Sequence, residues 1–103
     1  MAKVYEFLAN GFEEIEGLAP VDILRRGGID VTTVSITGSR EVTTSHGVTI
    51  LADTTFEDAG EMADADLLMI PGGMPGSTNL NAHAGVLSAM RRQFDSGKLV
   101  AAI

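Results

Sequence analysis

The run Asp66-Leu67-Leu68-Met69-Ile70-Pro71-Gly72-Gly73 decides the fold. Four consecutive apolar residues halted by Pro-Gly-Gly predict a short strand with no polar face. Working outward, Val4 to Ala9 predicts an earlier buried strand broken by Asn10-Gly11, and Val31 to Ile36, rich in Val and Thr, predicts another. Leu99 to Ile103 predicts the last. The segments between them read as helices. An acid-rich stretch running to Arg26 places Glu13, Glu14 and Glu16 at the positive end of a helix dipole and Arg25 and Arg26 at the negative end, before a Gly27-Gly28 stop. Pro20 within it predicts a kink or a late start. Phe56 to Met62 predicts a short helix, and Leu80 to Phe94 a longer one with Leu80, Val86, Leu87, Met90 and Phe94 at helical spacing. Glu41 to Thr44 and Val48 to Leu51 flank Ser45-His46-Gly47, predicting a small antiparallel excursion beside the main sheet.

Strands alternating with helices imply an α/β fold: a doubly wound, mostly parallel sheet with right-handed crossovers and helices on both faces. No repeat or linker divides residues 1–103, which are expected to form part of a single domain. A parallel central strand is normally buried on both sides, so ending on Val100-Ala101-Ala102-Ile103 predicts apolar surface left uncovered.

Composition narrows the function. With 45% hydrophobic residues the 103-residue chain can build a core. Seven Lys and Arg against 14 Asp and Glu give a net charge of -7, which repels phosphate backbones and anionic lipid surfaces, so neither nucleic acid nor membrane is an expected partner. No apolar run approaches the ~20 residues that span a bilayer, and strand-forming sequence starts at Val4, so a cytoplasmic location is expected. The absence of cysteine excludes disulfides, thiolate metal sites and thiol catalysis by this chain itself. Two histidines without an HExxH-type spacing give no metal site, and Gly72 to Thr78 lacks the Gly-Lys-Ser/Thr ending of a phosphate loop, so no metal and no cofactor is expected. No serine sits in a G-x-S-x-G elbow.

Binding crevices in open parallel sheets lie beyond the carboxyl ends of the strands. Asn10-Gly11 leading to Glu16, Pro71-Gly72-Gly73 and Ala102-Ile103 should therefore share one edge. There a partly desolvated Glu16 can keep its proton and pass it on, although a carboxylate that only compensates a helix dipole would look the same in sequence, as would Glu13. Gly72 and Gly73 can turn backbone N–H groups toward a developing negative charge, or simply make a turn that needs glycine. His46 is a candidate proton carrier or anion contact near the crevice, whereas His83, in a polar helical start, is expected to face solvent.

Four stretches carry a resemblance: Leu8-Ala9-Asn10-Gly11-Phe12-Glu13-Glu14-Ile15-Glu16, Pro20-Val21-Asp22-Ile23-Leu24-Arg25-Arg26-Gly27-Gly28-Ile29, Leu68-Met69-Ile70-Pro71-Gly72-Gly73 and Lys98-Leu99-Val100-Ala101-Ala102-Ile103. In this order and spacing they resemble the ThiJ/PfpI superfamily, especially the branch of the parkinsonism-associated protein deglycase. The resemblance implies a flavodoxin-like domain related to class I glutamine amidotransferases, of which this chain is the N-terminal half. In that family the Ala-Ala-Ile strand end is followed by a nucleophilic cysteine on a strained elbow. The resemblance therefore implies that this chain stops just before its nucleophile and is inert alone, needing the remainder of the domain, whether in the same chain or as a second one.

Carried over by position, Glu16 is the protonated acid beside that cysteine and Gly72 and Gly73 supply backbone donors. Glu13, Arg26 and His46 line the pocket, Arg26 from the other subunit of a family-type homodimer. His46 stands where the branch often has arginine. The implied activity is a cofactor-independent glyoxalase or protein deglycase acting on methylglyoxal or glycated adducts. The alternatives are a redox sensor or chaperone of oxidative stress and, further off, an intracellular peptidase.

Overall fold

A computed structural model describes residues 2–103. Five strands form one sheet in the order β5-β2-β1-β6-β7, every neighbouring pair parallel. They are β1 (Lys3–Leu8), β2 (Asp30–Ser35), β5 (Thr54–Thr55), β6 (Leu67–Ile70) and β7 (Leu99–Ala102). A separate antiparallel pair, β3 (Glu41–Thr43) and β4 (Thr49–Leu51), is the predicted excursion. The helices are α1 (Glu14–Arg26), α2 (Phe56–Ala59), α3 (Gly76–Asn81) and α4 (Ala84–Asp95). This is the α/β architecture expected from the sequence.

The alternation of β1 builds both layers, because successive side chains of a strand point to opposite faces. Tyr5, Phe7 and Ala9 join Val34, Leu68 and the α3–α4 residues Leu80, Val86 and Ala89 in one core. On the other face Val4 meets Val21, Val31 and Met69, while Leu8 meets Phe12 and the hairpin residues Val42 and Ala52. Phe7, Leu8 and Phe12 are completely buried, each contributing roughly 1.5–3 kcal/mol by removal from water.

Several details depart from expectation. Helix α1 starts at Glu14, ahead of Pro20, and runs through it. Pro20, in the middle of α1, costs the backbone bond to the Glu16 carbonyl, and packing of Gly17 and Val21 against the sheet holds the helix together. The single helix expected over Leu80 to Phe94 is two helices separated at Ala82–His83. His83 does not face solvent: its Nδ1 caps α4 by accepting the Val86 N–H at 3.0 Å, and its ring stands edge-on to Phe56 with centroids 4.9 Å apart. Helix α2 ends at Ala59 instead of Met62, because Gly60 at φ +74° and Met62 at φ +54° leave the helical region. Strand β7 is exposed along its length, with Leu99 and Val100 uncovered as predicted.

Candidate active site

The carboxyl edge of β1, β6 and β7 brings together the segments named from the sequence. Glu16 Oε1 accepts the Gly72 N–H at 3.1 Å across 56 residues of chain. Glu13 N–H donates to the Gly72 carbonyl at 2.9 Å, and Ile103 N–H donates to Ile70 O at 3.2 Å. The start of α1, the turn after β6 and the end of β7 are thus tied into one rim. Glu13 is also the N-cap of α1: its Oε2 accepts the Glu16 N–H at 3.0 Å, which fixes where the Glu16 side chain leaves the helix.

The two glycines earn their place sterically. A Cβ on Gly72 would collide with Glu16 Oε1 and lie 2.6 Å from the Ile103 carbonyl. Gly73 sits at φ +100°, and a Cβ there would meet the Glu13 backbone N. Gly72 N–H is already engaged by Glu16, so of the two expected backbone donors only Gly73 N–H donates to nothing among the described residues.

His46 reaches the same rim from the β3–β4 turn. Ser45 N–H donates to the Phe12 carbonyl at 2.8 Å, anchoring the turn beside Glu13, and His46 Nδ1 pairs with Glu14 Oε1. The Thr44 hydroxyl, followed by its own backbone N–H and His46, holds the Glu14 carboxyl below the usual carboxylate range, against a smaller upward push from burial. Glu13, Glu14 and His46 each bring one donor atom within 4.8 Å of the others. Glu13 Oε2 is taken up by the helix cap and Glu14 Oε1 by His46, while Glu14 Oε2 is buried with no hydrogen-bond partner among the described residues.

Arg26 is not brought to the site within this chain. It lies at the far end of α1, about 15 Å along the axis from Glu16, with its side chain 78% exposed and paired to Asp22 at 2.9 Å. Sequence reading missed Glu14 as the anchor of His46, because that pairing depends on how the hairpin folds back. Hollows lie elsewhere, including one of about 550 Å³ at the amino ends of β6 and β7 lined by Met62, Gln93 and Lys98. It is remote from the strand ends that converge on Glu16.

The model of the DJ-1/PfpI family matches residues 2–103. The chain belongs to the DJ-1/PfpI family. It is 38% identical over 96 residues to the Parkinson disease protein 7 homolog of Danio rerio, covering 93% of this chain and 51% of that protein. It is 31% identical over 102 residues to a deglycase of Thermococcus kodakarensis, covering 98% of this chain and 59% of that protein. Among solved structures, oxidized DJ-1 of Toxoplasma gondii superposes with a TM-score of 0.94 at 35% identity, covering 99% of this chain and 55% of that one. A cysteine-to-alanine variant of a DJ-1 superfamily protein from Salmonella typhimurium superposes equally well, at 40% identity, with the same coverage of both chains. The chain therefore spans about half the length of these DJ-1 relatives, and over that half its fold is theirs. No helix among the described residues is long and apolar enough to cross a membrane.

Proposed function

We propose that this chain forms the acid-and-backbone side of a cysteine-dependent glyoxalase or protein deglycase site, acting on methylglyoxal or its glycated adducts. The observation that carries the reading is the Glu16 carboxyl seated on Gly72 N–H at the strand edge where Ile103 follows β7. The similarity to a deglycase and to a relative whose cysteine was chosen for replacement points the same way.

In this reading the nucleophile is a cysteine supplied by the remainder of the domain, packed against the exposed β7 and the open groove lined by Leu87, Met90, Phe94 and Val100. The thiolate adds to the aldehyde carbon of methylglyoxal, giving a hemithioacetal whose oxyanion takes up a proton. The Gly73 N–H is placed to stabilise that oxyanion. Glu16, held by Gly72 and with its second oxygen unpaired among the described residues, moves protons between the adjacent carbons. The hemithioacetal thereby becomes a thioester of lactate. Water then cleaves the thioester, releasing lactate and regenerating the thiol, with no external oxidant or cofactor. His46 and Glu13 line the entrance, and Arg26 reaches it only from a second subunit of a homodimer.

The test is lactate formation from methylglyoxal by the native protein and by Glu16→Ala. Removing a positioned acid/base group is expected to lower turnover by about 10²–10⁴-fold, with the protein still folded by circular dichroism. Unchanged turnover removes Glu16 from the chemistry. Peroxide-dependent mass gain without any turnover would favour the redox-sensor reading instead, since a low-pKa thiolate oxidises readily.

A further inference from the structure

Glu6 is an anomaly that the candidate site does not use. It occupies the middle of the central strand β1, opposite Thr33 of β2 and Met69 of β6, and is 1% exposed. Strand alternation puts it on the same face as Val4 and Leu8. That face is roofed by α1 through Val21, Leu24 and Leu18. Glu6 Oε1 is fully shielded and has no hydrogen-bond partner among the described residues.

We propose that Glu6 is a buried acid switch: neutral, it lets α1 seat on the sheet, and on ionising it unseats α1 and breaks the Glu16–Gly72 contact at the helix start.

Three observations carry this. First, an ion at this position is unsupported, since a buried carboxylate needs a countercharge or several hydrogen bonds. Every charged group on the surrounding elements is committed elsewhere. Lys3, on the opposite face of β1, is bound to Asp30 and Thr32. On α1, Arg25 pairs with Asp53, Arg26 with Asp22, Glu14 with His46, and Glu16 with Gly72 N–H. Glu13 caps the helix, and β6 presents only Leu67 to Ile70. Second, burial alone pushes the Glu6 carboxyl up to about 8 from an ordinary 4.5, so neutralising it is cheaper than charging it at neutral pH. Third, the roof is the movable part. Helix α1 buries only Gly17 and Val21, whereas β2 and β6 hold Glu6 from both sides by continuous ladders.

The direction of the pH effect follows. Between about 4.5 and about 8 the folded chain retains a proton that the unfolded chain has released. Stability therefore falls as pH rises through that window and levels off above it. The same proton makes α1 the element that responds, because it can give water access to Glu6 without breaking the sheet. The switch requires no catalysis, so it stands or falls independently of the proposed activity.

The experiment is a titration of the native protein with carbon-13-labelled glutamate side chains, followed by carboxyl and amide resonances. One carboxyl titrating near 8 is expected, lost in Glu6→Gln, with the Gly72 and α1 amides shifting at the same midpoint in the wild type alone. The folding equilibrium constant should fall about 100-fold from pH 6 to pH 9 in the wild type and stay flat in Glu6→Leu. The proposal is overturned if all carboxyls titrate in the ordinary range. It is equally overturned if Glu6 titrates near 8 while the Gly72 and α1 amides stay still. Should both variants fail to fold, the wild-type titration decides by itself.

Discussion

Gly72 has no room for a side chain, and the reason is the site itself: Glu16 and the Ile103 carbonyl converge on the space a Cβ would fill. Gly72→Ala is expected to push Glu16 away and to destabilise the fold by about 1–3 kcal/mol, as overpacking does. Gly73→Ala adds an alanine at φ +100° against the Glu13 backbone, with a similar cost of about 1–3 kcal/mol. Chemical denaturation of both variants checks this, and wild-type midpoints would contradict the packing described. At this scale the sequence was informative where chemistry and local pattern coincide. Gly72 and Gly73 follow directly on β6, and Glu13 and Glu16 lie where the segment after β1 enters α1, so the rule that places crevices beyond strand ends put these segments on one edge. His83 was misread because a polar residue before an apolar run looks the same whether it meets water or caps a helix. Glu6 passed unremarked because one acid in an apolar strand carries no local sign of being sealed under α1.

Asp53, in the turn between β4 and β5, clamps elements together. Its Oδ2 accepts from Thr33 N–H at 2.9 Å and Thr33 Oγ1 at 3.0 Å, and pairs with Arg25 of α1 at 2.7 Å. Burial pushes its carboxyl up, but the Thr33 N–H and hydroxyl and the Arg25 charge outweigh this and leave it below its ordinary 3.8. A depressed carboxyl contributes stability that is present above the unfolded value and lost as pH falls through the lower folded one. Asp53→Ala is expected to cost about 1–2 kcal/mol at neutral pH and to flatten the loss of stability below about pH 4, measured by urea denaturation across the acid range. An acid limb unchanged from wild type would remove the clamp from the account. The main strands and α1 were legible because their apolar runs are long and bounded by glycines. The two-residue strand β5 and the short helix α3 were not, since neither is long enough to show a period. Both form because β2 and the Gly11 backbone receive them: Thr54 and Thr55 pair with Val34 and Ser35, and Gly76 N–H donates to Gly11 O at 3.1 Å.

Across the whole molecule, most of the exposed large apolar side chains fall into two sets, with Met74 apart from both. One is β7 with α4, where Leu87, Phe94, Leu99 and Val100 are uncovered, whereas strands of a parallel sheet are normally buried on both faces. The other comprises Ile15 and Ile23 of α1 with Val48 and Leu51 of the hairpin, between 50% and 71% exposed. A homodimer burying the second set would also supply Arg26 from the other subunit. Sedimentation of the native protein should then show a dimer that Ile15→Asp weakens, and a monomer at all concentrations would leave Arg26 outside the site. The α/β class was legible from the order of elements alone, whereas the reach of His46 to Glu14 depended on tertiary folding that no local pattern announces.

Glu16 and the two glycines are proposed to serve a cysteine that lies outside these 103 residues. Intact mass of the native protein after thiol alkylation, read alongside lactate formation from methylglyoxal, tests it most directly. One alkyl group taken up, with turnover lost in proportion, is expected. Turnover that persists in fully alkylated protein, or that occurs where no thiol can be labelled, would contradict it.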